Sequence, residues 1–137
     1  MSGPFSALGT SASGISVMKT WVDALADNIA NVNTAKRTSE SAFQARYVVA
    51  QSVGGQGGAI GQGVRVARVE LGNSDGTLIY DPNHPLADKD GLVRMPDENM
   101  VDQMTHLIVA QRAYQANVTV FERARDTYLR ALEIGKP

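Results

Sequence analysis

The sequence repeats apolar residues every seven positions at its two ends and nowhere between. Near the start, Leu8, Ile15, Val22 and Ile29 recur at that interval. Met18, Leu25 and Val32 form a second row, with Ser11 where its first member would stand. Near the end, Leu107, Tyr114, Phe121 and Tyr128 recur in the same way. Met104, Val118 and Leu132 flank them in a second row that Gln111 and Arg125 interrupt, and Ala110, Ala124 and Ala131 add small positions beside the stripe. A mean apolar spacing of about 3.5 residues is the seam of a coiled coil, so both ends should be long helices. The first spans about residues 8–32, roughly 37 Å, and the second about 98–134, roughly 55 Å. Gly and Ser in the opening turns weaken the first helix intrinsically. The second has better punctuation: Pro96, then Asp97 as N-cap with Glu98 in the first turn, and at the far end Gly135 before Lys136 and Pro137.

Between the helices the pattern changes to β structure. Phe43–Val49 alternates loosely, and residues 54–63, "GGQGGAIGQG", form a loop. Val64–Leu71 alternates cleanly, Val64, Val66 and Val69 against Arg65, Arg68 and Glu70. "TLIY", "DPNHP" and "GLVRM" give strand, turn and strand. The expected fold class is α+β: long N- and C-terminal helices pairing as a coiled-coil stem, with a small β-rich middle domain. The divisions are 1–34 for the first helix and an elbow, 35–96 for the middle, and 97–137 for the second helix.

The elbow is "NIANVNT", residues 28–34. Ile29 and Val32 lie on the apolar rows, so Asn28, Asn31 and Asn33 are placed off the seam or at its edge. Asparagine accepts a left-handed backbone and bonds nearby peptide groups, which suits a helix end.

Composition removes several classes of function. The chain has 137 residues and a net charge of −1, without the basic stripe that nucleic acid requires. It has no cysteine, hence no disulfide, thiolate metal site or cysteine nucleophile. No apolar run approaches the ~20 residues that span a bilayer. Met1 to Met18 carries no charge and no continuous apolar run, unlike an ordinary secretory signal. Neither helix can order without burying its stripe. The second is longer than the first, and the middle is too small to cover the excess. An oligomer or polymer is therefore expected.

The remaining motifs carry no chemistry. Gly55 and Gly57 begin a phosphate-loop pattern, but Ile60 stands where its third glycine belongs, so a hinge or loop tip is the better reading. "DKDG", residues 88–91, lacks the next calcium ligand because Leu92 occupies that position, which favours a turn. His84 and His106 have neither metal-type spacing nor a nucleophile beside them. "NVT", residues 117–119, is a chance sequon inside a helix, and the aromatic row at helical spacing suits packing better than stacking on a ligand.

Two blocks carry a resemblance. "NIANVNT" after an amphipathic helix is similar to the motif of bacterial flagellar axial proteins of the rod and hook class. Residues 80–137 narrow it to a rod protein through "NHPLADKDGLVRMP", "RAYQANV" and the "ALEIGK" ending. Residues 35–51 match only in outline, and the glycine loop falls where such proteins vary. The resemblance implies a structural subunit of the proximal rod of the flagellar basal body, within the cell envelope. Such a subunit is exported unfolded by the flagellar type III apparatus. It polymerises through its terminal helices, with itself and other rod subunits, into the shaft that carries torque from motor to hook. It implies no enzyme activity, cofactor, metal, small-molecule substrate or nucleic acid. The motif residues are Asn28, Ile29, Ala30, Asn31, Asn33, Thr34, Arg112, Tyr114, Gln115, Ala116 and Asn117. The expected assembly surface is the two apolar rows of each helix, with Leu25 and Phe121 as points where a buried charge would stop assembly. The alternatives are a sister proximal-rod or distal-rod subunit, the latter disfavoured by the short middle, and a soluble helical adapter.

Overall fold

The computed structural model describes residues 4–54 and 61–135. The elements run α1 (Pro4–Asn31), β1 (Arg46–Ser52), β2 (Val64–Leu71), β3 (Thr77–Tyr80), β4 (Leu92–Met95) and α2 (Met100–Ile134). The α+β class and the two flanking helices are as the periodicity requires. Phe5 meets Tyr128 with ring centroids 4.6 Å apart. Gly14 faces Asn117, and Asn28 bonds Gln103. Position rises along α1 as it falls along α2, so the stem is an antiparallel hairpin of helices. At the helical rise α1 is roughly 42 Å long and α2 roughly 52 Å.

The start of α2 differs from expectation. Its N-cap is Asn99, whose Oδ1 accepts from the N–H groups of Val101 at 2.8 Å and Asp102 at 3.4 Å. Asp97, expected in that role, lies two residues too early, and the Glu98 carboxylate is engaged elsewhere. Gly135 closes the far end in a right-handed conformation, its N–H donating to the Ala131 carbonyl at 3.2 Å.

The first strand is also displaced, to Arg46–Ser52 from the expected Phe43–Val49. Ala42 and Ala45 are buried, and peptide bonds to Ser74 and Gly72 hold this stretch before the ladder begins. β1 and β2 form an antiparallel hairpin with a bulge. Val49 pairs with Arg68 and Ala50 with Val66, which leaves Ala67 unopposed. The hairpin lies along α1. At its base Arg46 N–H donates to Asn28 Oδ1 at 2.8 Å, and near its tip Val64 N–H donates to Ser13 Oγ at 3.0 Å. Gly63 has φ +114° there, and a Cβ would stand 2.3 Å from Ser13 Oγ, so the close approach requires glycine. Most of the expected glycine loop, including Gly55, Gly57 and Ile60, lies outside the described residues.

β3 and β4 form a second antiparallel hairpin, extended by a bridge between Lys36 and Arg94. Val93 is buried at its centre. The turn before β4 is organised by Asp88. Its Oδ1 accepts from the N–H groups of Asp90 and Leu92, both at 2.9 Å, and its Oδ2 from Thr38 Oγ1 at 2.9 Å. The "DKDG" segment is thus a turn whose carboxylate is already occupied.

A close-packed stem with a polar joint

The inner face of the stem is smaller and more polar than the heptad rows foretell. The buried positions of α1 are Ser11, Gly14, Val17, Ala24, Leu25 and Asn28, and those of α2 are Gln103 and Ala110. Ser11, expected to interrupt the seam, is buried within it and returns its hydroxyl to the Ala7 carbonyl at 2.6 Å. The row Leu8, Ile15, Val22 and Ile29 is only half-buried. Of the second row, Leu25 and Val32 are buried and Met18 is half-buried. On α2, Leu107, Tyr114, Val118, Phe121 and Tyr128 are half-buried, while Met104 and Leu132 are each 49% exposed. The reason is proximity. A Cβ on Gly14 would stand 2.6 Å from Asn117 Oδ1, so glycine leaves room for the opposite amide. Helices brought this close bury small residues and leave the bulky rows at the margins.

The expected edge position of Asn28 is overturned. Asn28 is 1% exposed and stands in the seam one helical repeat below Trp21. Its Nδ2 donates to the Arg46 carbonyl and to Gln103 Oε1, both at 3.1 Å, while its Oδ1 accepts from Arg46 N–H. Gln103 Nε2 donates to Glu98 Oε2 at 2.7 Å, and the Tyr47 hydroxyl donates to Glu98 Oε1. This chain of bonds fastens the end of α1, the start of β1 and the start of α2 at one point. The Glu98 carboxylate beside it pushes the Tyr47 phenol up to about 12. Outside the network an ion pair, Arg46 to Asp27 at 2.8 Å, spans the same junction. It is exposed, so it contributes little.

The other motif residues divide between this joint and the stem. Asn31 Nδ2 donates back to the Asp27 carbonyl at 2.9 Å and its Oδ1 accepts from Thr34 Oγ1 at 3.3 Å, which ends α1. No described non-glycine residue has positive φ, so the elbow uses side-chain amides rather than a left-handed asparagine. Ala30 and Asn33 are exposed and Ile29 half-buried. Arg112, Gln115 and Ala116 are exposed, and Asn117 is half-buried in the seam. Tyr114 and Gln115 line a groove of about 350 Å³ between the helices with Lys19, Val22 and Gln111. Both histidines have structural surroundings: His84 Nδ1 accepts from Leu86 N–H at 3.1 Å, and His106 lies 6.4 Å from Trp21 between ring centroids.

Sequence reasoning missed the joint because a polar residue on an apolar stripe was assigned to the outside. The available signal was the pair of residues Asn28 and Gln103, each at a core-facing helical position and each able to satisfy the other.

Comparison with known proteins agrees with this architecture. Residues 99–134 match the family model described as "Flagellar basal body rod FlgEFG protein C-terminal". The chain is 34% identical to the flagellar basal-body rod protein FlgC of Borreliella burgdorferi, over 96% of this chain and 97% of that one. It is 31% identical to FlgC of Bacillus subtilis, over 96% and 98%. With FlgC of Escherichia coli O6:H1 it shares 36% identity over 81% and 82%. A two-helix stem bearing a small β domain, matched along its length in this way, defines a structural protein of the flagellar basal-body rod. The chain belongs to the FlgC family.

Proposed function

We propose that the chain assembles with other flagellar rod subunits through the flanks of its stem, and that its part in the rod is mechanical rather than catalytic. The observation that carries this is the exposed apolar surface of α2. Met104, Ile108, Val109, Val120, Leu129 and Leu132 are each about half exposed along one helix. Apolar surface repeated along the length of a stem is what a neighbouring stem would cover. The half-buried rows Leu8, Ile15, Val22 and Ile29 on α1 and Leu107, Tyr114, Phe121 and Tyr128 on α2 border that surface. Met18 and Val118 widen it, while Leu25 and Val32 set the spacing of the helices beneath. In this reading residues 1–34 and 97–137 form the assembling stem, and residues 35–96 form an outer domain.

Export by the flagellar type III apparatus belongs to the same reading. Its support is the relatives' identity as basal-body rod proteins. No helix among the described residues is long and apolar enough to cross a membrane. Nucleic acid and small-molecule substrates have no place in this function.

Cryo-EM of isolated basal bodies tests the proposal. The expected map holds this chain in the rod with Ile108 and Leu129 against neighbouring subunits. A map with those residues facing solvent overturns the assigned surface, and basal bodies lacking the chain overturn the role.

A further inference from the structure

One groove lies outside the stem flanks. β3, the first turn of α2 and the residues between them enclose about 610 Å³. Ile79, Pro96 and Met100 give it apolar walls, and Asp97, Glu98 and Asp102 give it carboxylates. Glu98 is occupied by Tyr47 and Gln103. Asp97 and Asp102 have no ion-pair partner among the described residues. Ile79 is 46% exposed on a strand that pairs on one side only.

The opposite end of α2 carries the complementary charge. Arg123, Asp126, Thr127 and Arg130 line one face of the helix around a shallow recess of about 310 Å³. Asp126 is engaged by Arg125 at 3.0 Å, whereas Arg123 and Arg130 have no ion-pair partner among the described residues. One molecule cannot bring the two patches together. They belong to a single helix, and Asp102 and Arg130 are separated by roughly 42 Å at the helical rise.

We propose that the groove between β3 and the first turn of α2 receives the arginine face of the far end of α2 from a second copy of the chain. The contact is head to tail. It uses two different surfaces of the same subunit, so each copy that docks presents a fresh groove to the next, the geometry of an open polymer rather than a closed pair. This rests on the reading of the chain as an assembling rod subunit and adds which end meets which.

Charge reversal in purified full-length protein tests it by sedimentation. Wild type self-associates, and the association weakens as salt rises because the patches are exposed. One variant, Asp97→Arg with Asp102→Arg, is basic at both ends. The other, Arg123→Asp with Arg130→Asp, is acidic at both ends. Each alone should associate on the order of tenfold more weakly than wild type, and mixing the two should restore association. Far-UV circular dichroism checks helicity, and the single changes Asp102→Lys and Arg130→Glu replace any double variant that loses it. Self-association unaffected by reversal, no self-association of wild type, or no recovery on mixing each overturn the contact. Recovery of the variants in basal bodies at wild-type level, with those negative results, refutes the contact and leaves the rod role standing. Absence of wild type from basal bodies refutes the rod role instead.

Discussion

The Asn117 amide occupies the space that a side chain on Gly14 would need, its Oδ1 2.6 Å from the position of the missing Cβ. Asn117 is held there by its own Nδ2, which donates to the Ala113 carbonyl at 2.9 Å. Two opposing effects meet in Gly14→Ala. The change favours helix by about 1 kcal/mol and costs a comparable amount in displacing the amide. The single substitution should therefore leave stability nearly unchanged. Combined with Asn117→Ala, which removes the obstruction, it should stabilise by about 1 kcal/mol relative to Asn117→Ala alone. Denaturant unfolding of the four proteins of the cycle checks this; strict additivity would show that the two residues are not in contact.

Asn28 leaves no bond unmade, so its truncation should be costly. Asn28→Ala strands Arg46 N–H and Gln103 Oε1 in a buried site and should destabilise by about 2–4 kcal/mol. The partners separate in sequence by 75 residues, so the damage should reach both helices and the hairpin base. Hydrogen exchange across α1, β1 and α2 measures it. Loss of protection confined to the last turn of α1 would contradict a joint role.

The Tyr47 phenol is raised to about 12 by the hydrogen bond to Glu98 first, and by burial and the nearby acidic charges after that. Its folded value lies above its unfolded one. The stabilisation is therefore fully present below pH ~10 and lost as pH rises through about 12. Phenolate absorbance should show one late-titrating tyrosine that moves to the ordinary range in Glu98→Gln. The loss of stability over this window should be shallower in Tyr47→Phe.

Asp88 behaves in the opposite sense. The Leu92 N–H bond is the largest cause holding its carboxyl below the ordinary carboxylate range, with Thr38 Oγ1 and Asp90 N–H adding to it. Its contribution is present above the unfolded value and lost as pH falls through the depressed one. Asp88→Ala should speed amide exchange at Asp90 and Leu92 and blunt the acid sensitivity of the β3–β4 hairpin, with the stem unaffected. Equal exchange rates in the two proteins would show that the turn stands without the carboxylate.

Leu25 and Leu129 should separate folding from assembly. Leu25 is buried in the stem, so Leu25→Asp should cost several kcal/mol and melt the hairpin of helices. Leu129 is half exposed, so Leu129→Asp should keep wild-type circular dichroism and still abolish motility. Wild-type motility in Leu129→Asp would remove that flank from the assembly surface.

The architecture was legible where periodicity decides it. Heptads marked both helices, and alternation marked Val64–Leu71 to the residue. The inner face was less legible because hydrophobicity does not report distance. Leu8, Ile15, Val22 and Ile29 looked like the seam, yet Gly14 and Ala110 let the backbones approach and turned those larger residues to the margin. Asn28 was misplaced for the complementary reason. A polar side chain is excluded from a core only until partners satisfy it, and Gln103 and the Arg46 peptide lie far off in sequence. Asp97 lost the cap to Asn99 because several adjacent residues could serve, and only the geometry of the first turn chooses among them.

The β1–β2 hairpin along α1 has a consequence for timing. Its link from Ser13 to Val64 spans 51 residues, whereas the stem's link from Asn28 to Gln103 spans 75 and needs the start of α2. Shorter loops close at lower entropic cost. In a chain that emerges from its N-terminus, the hairpin reaches α1 while α2 is still absent. It therefore acts as a temporary sheath for part of an apolar helix during the interval before its permanent mate arrives.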